Sequence, residues 1–157
     1  MTRIPLPQRV LTGRFEIGRS PIEVFEFLAH LPNWRRIDDT VVDLQPATGL
    51  GPRVELGSLG TVTSRTPGGF KARMTWEITE FAAGSRFTNR IVGRGYELTE
   101  TVDLAASPSG TTATVSDTLI ATSRVGRLMV PLSGGFMRRD LEKRSAKLKM
   151  LLETDAR

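Results

Sequence analysis

The apolar residues of this chain change period as the sequence proceeds, and those changes restrict its fold more than any other feature. Leu11 to Arg19 sets Leu11, Gly13, Phe15 and Ile17 against Thr12, Arg14, Glu16 and Gly18, the period of two of a strand with one buried face. Ser20-Pro21-Ile22-Glu23 then reads as a capping box. The Ser20 hydroxyl accepts from the Glu23 amide, Glu23 reaches back, and Pro21 takes the first helical position, where no donor is missed. Ile22, Phe25, Leu28 and Ala29 recur at three- and four-residue steps, giving a helix with an apolar stripe until Leu31-Pro32 stops it. A second short helix is expected around Asn33 to Ile37.

From Thr40 to Ala121 the pattern becomes strands separated by turn residues. The joints are Gly49-Leu50-Gly51-Pro52, Thr66-Pro67-Gly68-Gly69, Gly84-Ser85, Gly93-Arg94-Gly95 and Ser107-Pro108-Ser109-Gly110. Long segments between such joints predict sequential hairpins, and so a wide, curved antiparallel meander. Helical spacing returns in the last third, in two registers. Val125, Leu128, Met129, Leu132 and Phe136 share one face, while Met137, Leu141, Leu148 and Leu152 share another, more than a third of a turn away at 100° per residue. Gly134-Gly135 lies between them, which predicts a break or kink there and then a long helix to about Leu152.

Composition allows one core in one domain spanning 1–157, with an ordered part of about 11–152. Of the 157 residues, 39% are hydrophobic and 25% charged, values of a folded, water-soluble chain. With no cysteine, neither a disulfide framework nor a thiolate metal site is available. The segment Met1 to Val10 lacks the apolar stretch of a signal peptide and no later run reaches the length of a membrane span, so a cytoplasmic location is expected. The net charge of +5 is placed unevenly: between Arg124 and Lys149 eight bases face only Asp140 and Glu142. Such a helix is able to meet an anionic membrane, but it carries no interleaved aromatics and no nucleic-acid motif, so a solvated outer face is the plainer reading and no nucleic-acid partner is expected.

The order of elements and several local runs resemble the START-like (SRPBCC, helix-grip) superfamily, in its polyketide cyclase/dehydrase branch. The runs are Ser20 to Leu28 followed by Pro32-Asn33-Trp34, then Gly57-Ser58-Leu59-Gly60, Trp76 to Phe81, Gly110 to Val115, and the ending Leu141 to Lys149. The resemblance implies an α+β helix-grip fold. A curved antiparallel sheet of six to seven strands would wrap a long C-terminal helix, with two short helices after the first strand, around an apolar ligand cavity. Its motifs are turns, a core Trp and a helix end, so it speaks to fold more than to function.

His30 is the only histidine, which leaves no convergent metal-ligand set and no Ser-His-Asp arrangement apart from it; at a helix end it reads as a cap. Neither a Gly-x-Ser-x-Gly elbow nor a nucleotide-binding loop occurs, and no cofactor is expected. Alternation places Phe70, Ala72, Met74, Trp76 and Ile78 inward, then Phe87, Asn89 and Ile91, then Tyr96, Leu98, Glu100, Val102 and Leu104, then Ala113, Val115, Asp117 and Leu119. Asn89, Glu100 and Asp117 are therefore polar groups on an apolar face. A carboxyl there has its pKa raised by desolvation and is able to act as a general acid or base. Arg144, on the apolar stripe of the last helix, offers neutralisation instead, with Asp140 one turn earlier as a competing partner. The expected ligand-contacting set is Met74, Trp76, Asn89, Tyr96, Leu98, Glu100, Asp117 and Phe136. Three functions compete: a carrier of a hydrophobic small molecule (lipid, polyketide or quinone-like), a cyclase or dehydratase using an inward carboxyl, and a docking module using the basic helix. Ligand identity and oligomeric state stay open.

Overall fold

The structure, a computed structural model, describes residues 6–154. Strand β1 (Gln8–Ile17) is followed by helices α1 (Pro21–Ala29) and α2 (Asn33–Ile37). Then come β2 (Val41–Pro46), β3 (Leu59–Arg65), β4 (Lys71–Ala82), β5 (Arg86–Gly93), β6 (Tyr96–Ser107) and β7 (Gly110–Ala121). The last elements are α3 (Arg124–Met129), a 3-10 turn (Val130–Leu132) and α4 (Gly134–Thr154). The strands form one antiparallel sheet in the order β1-β7-β6-β5-β4-β3-β2, a helix-grip arrangement with α4 on the inner face. The ends of the expected 1–157 span, residues 1–5 and 155–157, lie outside the described residues, and β1 begins three residues before Leu11.

The capping box at Ser20 forms: its hydroxyl accepts from the Glu23 amide at 3.4 Å, and Glu23 accepts from the Ser20 amide at 2.9 Å. Helix α1 buries Val24, Phe25, Leu28 and Ala29, whereas Ile22 of the expected stripe is exposed in the first turn. Phe25 meets Phe81 edge-on at 4.8 Å, and Trp34 of α2 meets Trp76 of β4 at 5.0 Å. Phe81 reaches this cluster because of a bulge. Trp76 and Ile78 face inward at even positions, and the register shift between Ile78 and Glu80 brings Phe81 to the same face. Phe70, expected inward, lies before β4 begins and is 77% exposed.

The helical end departs from expectation in one respect. The interruption falls at Val130–Ser133, where Pro131 has no N–H to continue a helix, while Gly134 and Gly135 open α4. In a first turn the amide donors need no intrahelical acceptor, so glycines there cost little ladder. The register change is real, and Met137, Leu141, Leu148 and Leu152 are buried as their spacing predicts. The companion set Val125, Leu128, Met129, Leu132 and Phe136 is exposed instead, Leu132 by 80%. Helix α3 meets the sheet through Gly126, followed by the buried Val130 of the 3-10 turn, and a Cβ at 126 would collide with the Gly95 carbonyl. Among the described residues no helix is long and apolar enough to cross a membrane.

Gly60 of β3 pairs with Trp76 and lies under its indole, whose Nε1 donates to the Thr61 carbonyl at 3.2 Å. A Cβ at 60 would sit 2.7 Å from the indole and collide with the Gln45 carbonyl. Gly60→Ala is therefore expected to lower stability by about 1–3 kcal/mol through overpacking. Urea denaturation checks this, and an unchanged midpoint would show that Trp76 is free to move.

Candidate ligand cavity

Two hairpins set the register of the inner face. The loop between β5 and β6 is Arg94-Gly95, with Gly93 opposite Tyr96 and φ +90° at Gly95, a conformation glycine adopts without strain. Counting four residues away from the turn on each side brings Asn89 opposite Glu100. The loop between β6 and β7 sets Ser107 opposite Gly110, and seven steps on, Glu100 is opposite Asp117. Ile78 precedes Asn89 across β4–β5, and Leu11 follows Asp117 across β1–β7. The three polar residues thus form one contiguous row, capped at both ends by aliphatic side chains.

Helix α4 places Arg144 over this row. Its Nη1 donates to Glu100 Oε2, its Nη2 to Asp117 Oδ2 at 3.0 Å and its Nε to Asp140 Oδ2 at 2.8 Å. The two partners weighed for Arg144 from the sequence are therefore both taken, together with a third. Burial, then repulsion from Glu100, pushes the Asp117 carboxyl up to about 8. Burial acts against ionisation of Glu100 too, yet the Arg144 guanidinium holds it below the ordinary value; burial also raises Asp140. Near neutral pH the proton of this pair resides on Asp117, while Arg144 holds Glu100. Asp117 Oδ1 has no hydrogen-bond partner, which costs less on a neutral acid than on a carboxylate.

Beside the cluster, a cavity of about 220 Å³ separates α4 from the sheet. Met74, Trp76, Asn89, Tyr96, Leu98 and Glu100 line it, joined by Trp34, Leu141, Arg144 and Leu148. Both indole N–H groups are met by carbonyls, Trp34 by Leu28 at 2.8 Å and Trp76 by Thr61, which leaves the ring surfaces as apolar wall. Tyr96 lies across Gly93, where a Cβ would collide with its ring, and its hydroxyl donates to Met74 Sδ at 2.8 Å.

Two of the residues expected to contact a ligand lie elsewhere. Phe136 is 48% exposed at the start of α4, off the cavity, because the helix turns Met137 and Leu141 inward. Asp117, 2% exposed, is inward but covered by Arg144. His30 caps α1 through its backbone N–H, which donates to the Phe27 carbonyl at 3.4 Å, rather than through its imidazole. Trp34 was legible only as a turn residue; its contact with Trp76 depends on the fold of α2. The Asn89–Glu100–Asp117 row was recoverable by counting from the glycine-bearing turns.

The family described as polyketide cyclase / dehydrase and lipid transport matches residues 8–153. No curated protein matches the sequence. Among solved structures, TTHA0849 from Thermus thermophilus has 17% identity over 96% of this chain and 100% of its own, with a TM-score of 0.74. Ara h 8.0201 has 12% identity over 94% and 99%, with a TM-score of 0.68. The di-domain ARO/CYC StfQ from the steffimycin biosynthetic pathway has 10% identity, a TM-score of 0.75, and coverage of 95% of this chain but 52% of its own. At these identities the likeness is one of fold.

An Asp whose folded pKa lies above its unfolded value lends most stability at low pH and loses it as pH rises through the folded value. For Asp117 the loss runs from about 4 to about 8, at up to about 1.4 kcal/mol per pH unit where it titrates alone. Asp117→Asn, which resembles the neutral acid, is expected to match wild type near pH 6 and to lose less between pH 6 and 9. Parallel denaturation curves at the two pH values would overturn the assignment. Arg144→Leu strands buried carboxylates and is expected to cost about 3–5 kcal/mol at pH 7.

Proposed function

The chain belongs to the polyketide cyclase / dehydrase and lipid transport family, and we propose that it is a binding or carrier protein for a hydrophobic small molecule, lipid, polyketide or quinone-like, acting in the cytoplasm. The supporting observation is the cavity: about 220 Å³, walled by two indoles and aliphatic side chains, with its polar groups gathered along one row. Affinity then comes from apolar area removed from water, at about 25 cal/mol per Å² before association costs.

The alternative, a cyclase or dehydratase, has to use Glu100, since Asp117 is covered. Glu100 is held ionised by Arg144 and in contact with Asp117, which makes it a weak proton acceptor. The docking reading loses its single basic patch. Lys143 and Lys147 pair with Asp39, Lys149 pairs with Glu153, and Arg144 is interior. A membrane contact is left with the exposed Arg124, Arg127, Arg138 and Arg139 and the exposed Leu128 and Leu132.

Native mass spectrometry of freshly purified protein is expected to show a bound apolar molecule. Naphthalene, titrated calorimetrically, is expected to bind in the micromolar to millimolar range, and Met74→Trp, which fills the space, to weaken it about tenfold or more. Glu100→Gln is expected to leave naphthalene uptake nearly unchanged. A turnover abolished by Glu100→Gln with uptake and stability intact would replace the carrier reading with the enzyme.

A further inference from the structure

Helix α3 and the 3-10 turn after it present apolar side chains to solvent. Of the twelve large hydrophobic residues exposed among the described ones, five fall between Val125 and Phe136, with Leu128 at 71% and Leu132 at 80%. Scattered singly such residues need no explanation, but gathered in one segment they mark a surface that a partner covers. Packing forces the exposure. Helix α3 lies against the sheet through Gly126, so close that a Cβ there would collide with the Gly95 carbonyl, and every other residue of this short helix is exposed.

The charge of the same segment has one sign. From Thr118 to Arg139 there is no Asp or Glu, while Arg124 and Arg127 lie on α3 and Arg138 and Arg139 near the start of α4. All four are exposed, and among the described residues none of them meets an acid, unlike Lys143, Lys147 and Lys149 further along α4. A fifth base comes from β1: Arg9 Nη2 donates to the Pro131 carbonyl, which fixes that guanidinium beside the turn. Basic and apolar side chains are thus interleaved, Arg124 next to Val125, Arg127 next to Leu128, and Arg9 at the Pro131–Leu132 peptide.

We propose that α3 and the 3-10 turn dock this protein on an anionic lipid bilayer, with Leu128 and Leu132 inserted and the arginines on headgroup phosphates. A second copy placed symmetrically would set arginines against arginines, with no acid in the segment to answer them. A protein partner's anchor side chains fill pockets, and residues this exposed project outward rather than line one. A bilayer needs no pocket. Its acyl boundary takes projecting apolar side chains, its phosphates take the guanidiniums, and the long arginine stems let both be met at once. Docking goes beyond carriage of an apolar molecule, yet the two are neighbours in the fold. Val130, on the buried side of the turn, belongs to the cluster against which Tyr96 and Leu98 pack, and those two residues line the cavity.

In co-sedimentation at low salt, the full chain is expected to bind vesicles of equal parts phosphatidylcholine and phosphatidylglycerol about tenfold or more tighter than phosphatidylcholine alone, and less tightly as salt rises. Arg124→Gln with Arg127→Gln is expected to weaken binding about tenfold or more, and Leu128→Ser with Leu132→Ser to weaken it similarly. Lys71→Gln with Arg73→Gln removes the same charge from exposed positions on β4 and is expected to leave binding nearly unchanged. Leu132→Trp is expected to be quenched by brominated acyl chains beyond the wild-type signal, and Leu56→Trp, between β2 and β3, is not. No binding to the mixed vesicles, an equal loss in the Lys71 and Arg73 variant, or an unquenched Leu132→Trp on bound vesicles would overturn the proposal. So would a dimer in ultracentrifugation that Leu132→Ser dissociates, because a second copy would then cover this face. Should a double variant lose its circular dichroism spectrum, the quenching of Leu132→Trp decides. Naphthalene uptake is measured separately, so that loss of docking with uptake intact leaves the carrier reading standing.

Discussion

A guanidinium leaves water only where anionic partners replace its hydration, and Arg144 on the inner face of α4 imposes that demand on the middle of the sheet. Glu100 and Asp117 answer it from adjacent strands and Asp140 from one turn earlier on the helix itself. The cluster fixes where α4 crosses the sheet and how it is rotated about its axis. It also gives the interior its two ends, since the ionic row occupies one part of the concave face and the paired indoles another. An apolar core of the same volume would hold the helix as well, but would leave no polar end to distinguish one occupant from another.

The lysines of α4 are paired with acids, which binds the helix to its surroundings. Lys143 and Lys147 reach Asp39 just after α2. Lys149 donates to the Glu16 carbonyl at 2.7 Å, and Arg19 donates to the Leu152 carbonyl at 2.9 Å, tying the C-terminal turns to the end of β1. A charge count along the sequence locates these bases on one helix but does not find Asp39 or the Glu16 carbonyl, which lie more than a hundred residues away.

Much of the architecture was legible because period and turn chemistry agree. The alternation in β6 and β7, the glycine turns and the capping box at Ser20 all point to one arrangement, and Asn89, Glu100 and Asp117 were recognisable as inward from parity alone. Where the reading failed, a tertiary contact outweighed a local pattern. The exposed set from Val125 to Phe136 has helical spacing, yet α3 docks through Gly126, because only a residue without a side chain fits against Gly95. Phe70 continues the alternation of β4 on paper, but the Thr66–Phe70 hydrogen bonds close a turn there before the strand begins. The Gly134-Gly135 pair drew attention from Pro131, whose missing donor ends the preceding helix. The joint occupancy of Arg144 by three carboxyls was hidden because it depends on the helix–sheet crossing, which no local pattern encodes.

The two short loops on either side of β6 have a meaning for how this chain varies through evolution. Surface turns ordinarily absorb insertions and deletions, since the chain there is exposed and the closure entropy changes slowly with length. Here each loop is also the origin from which the polar row is counted. One residue added at Arg94-Gly95 and absorbed as a slip of the ladder would break the alignment of Asn89 with Glu100 and reverse the facing of the slipped strand. Related chains that keep this row are thus constrained to keep the length of these turns while their residues drift, and a length change at either one marks a lineage whose interior has been rewritten.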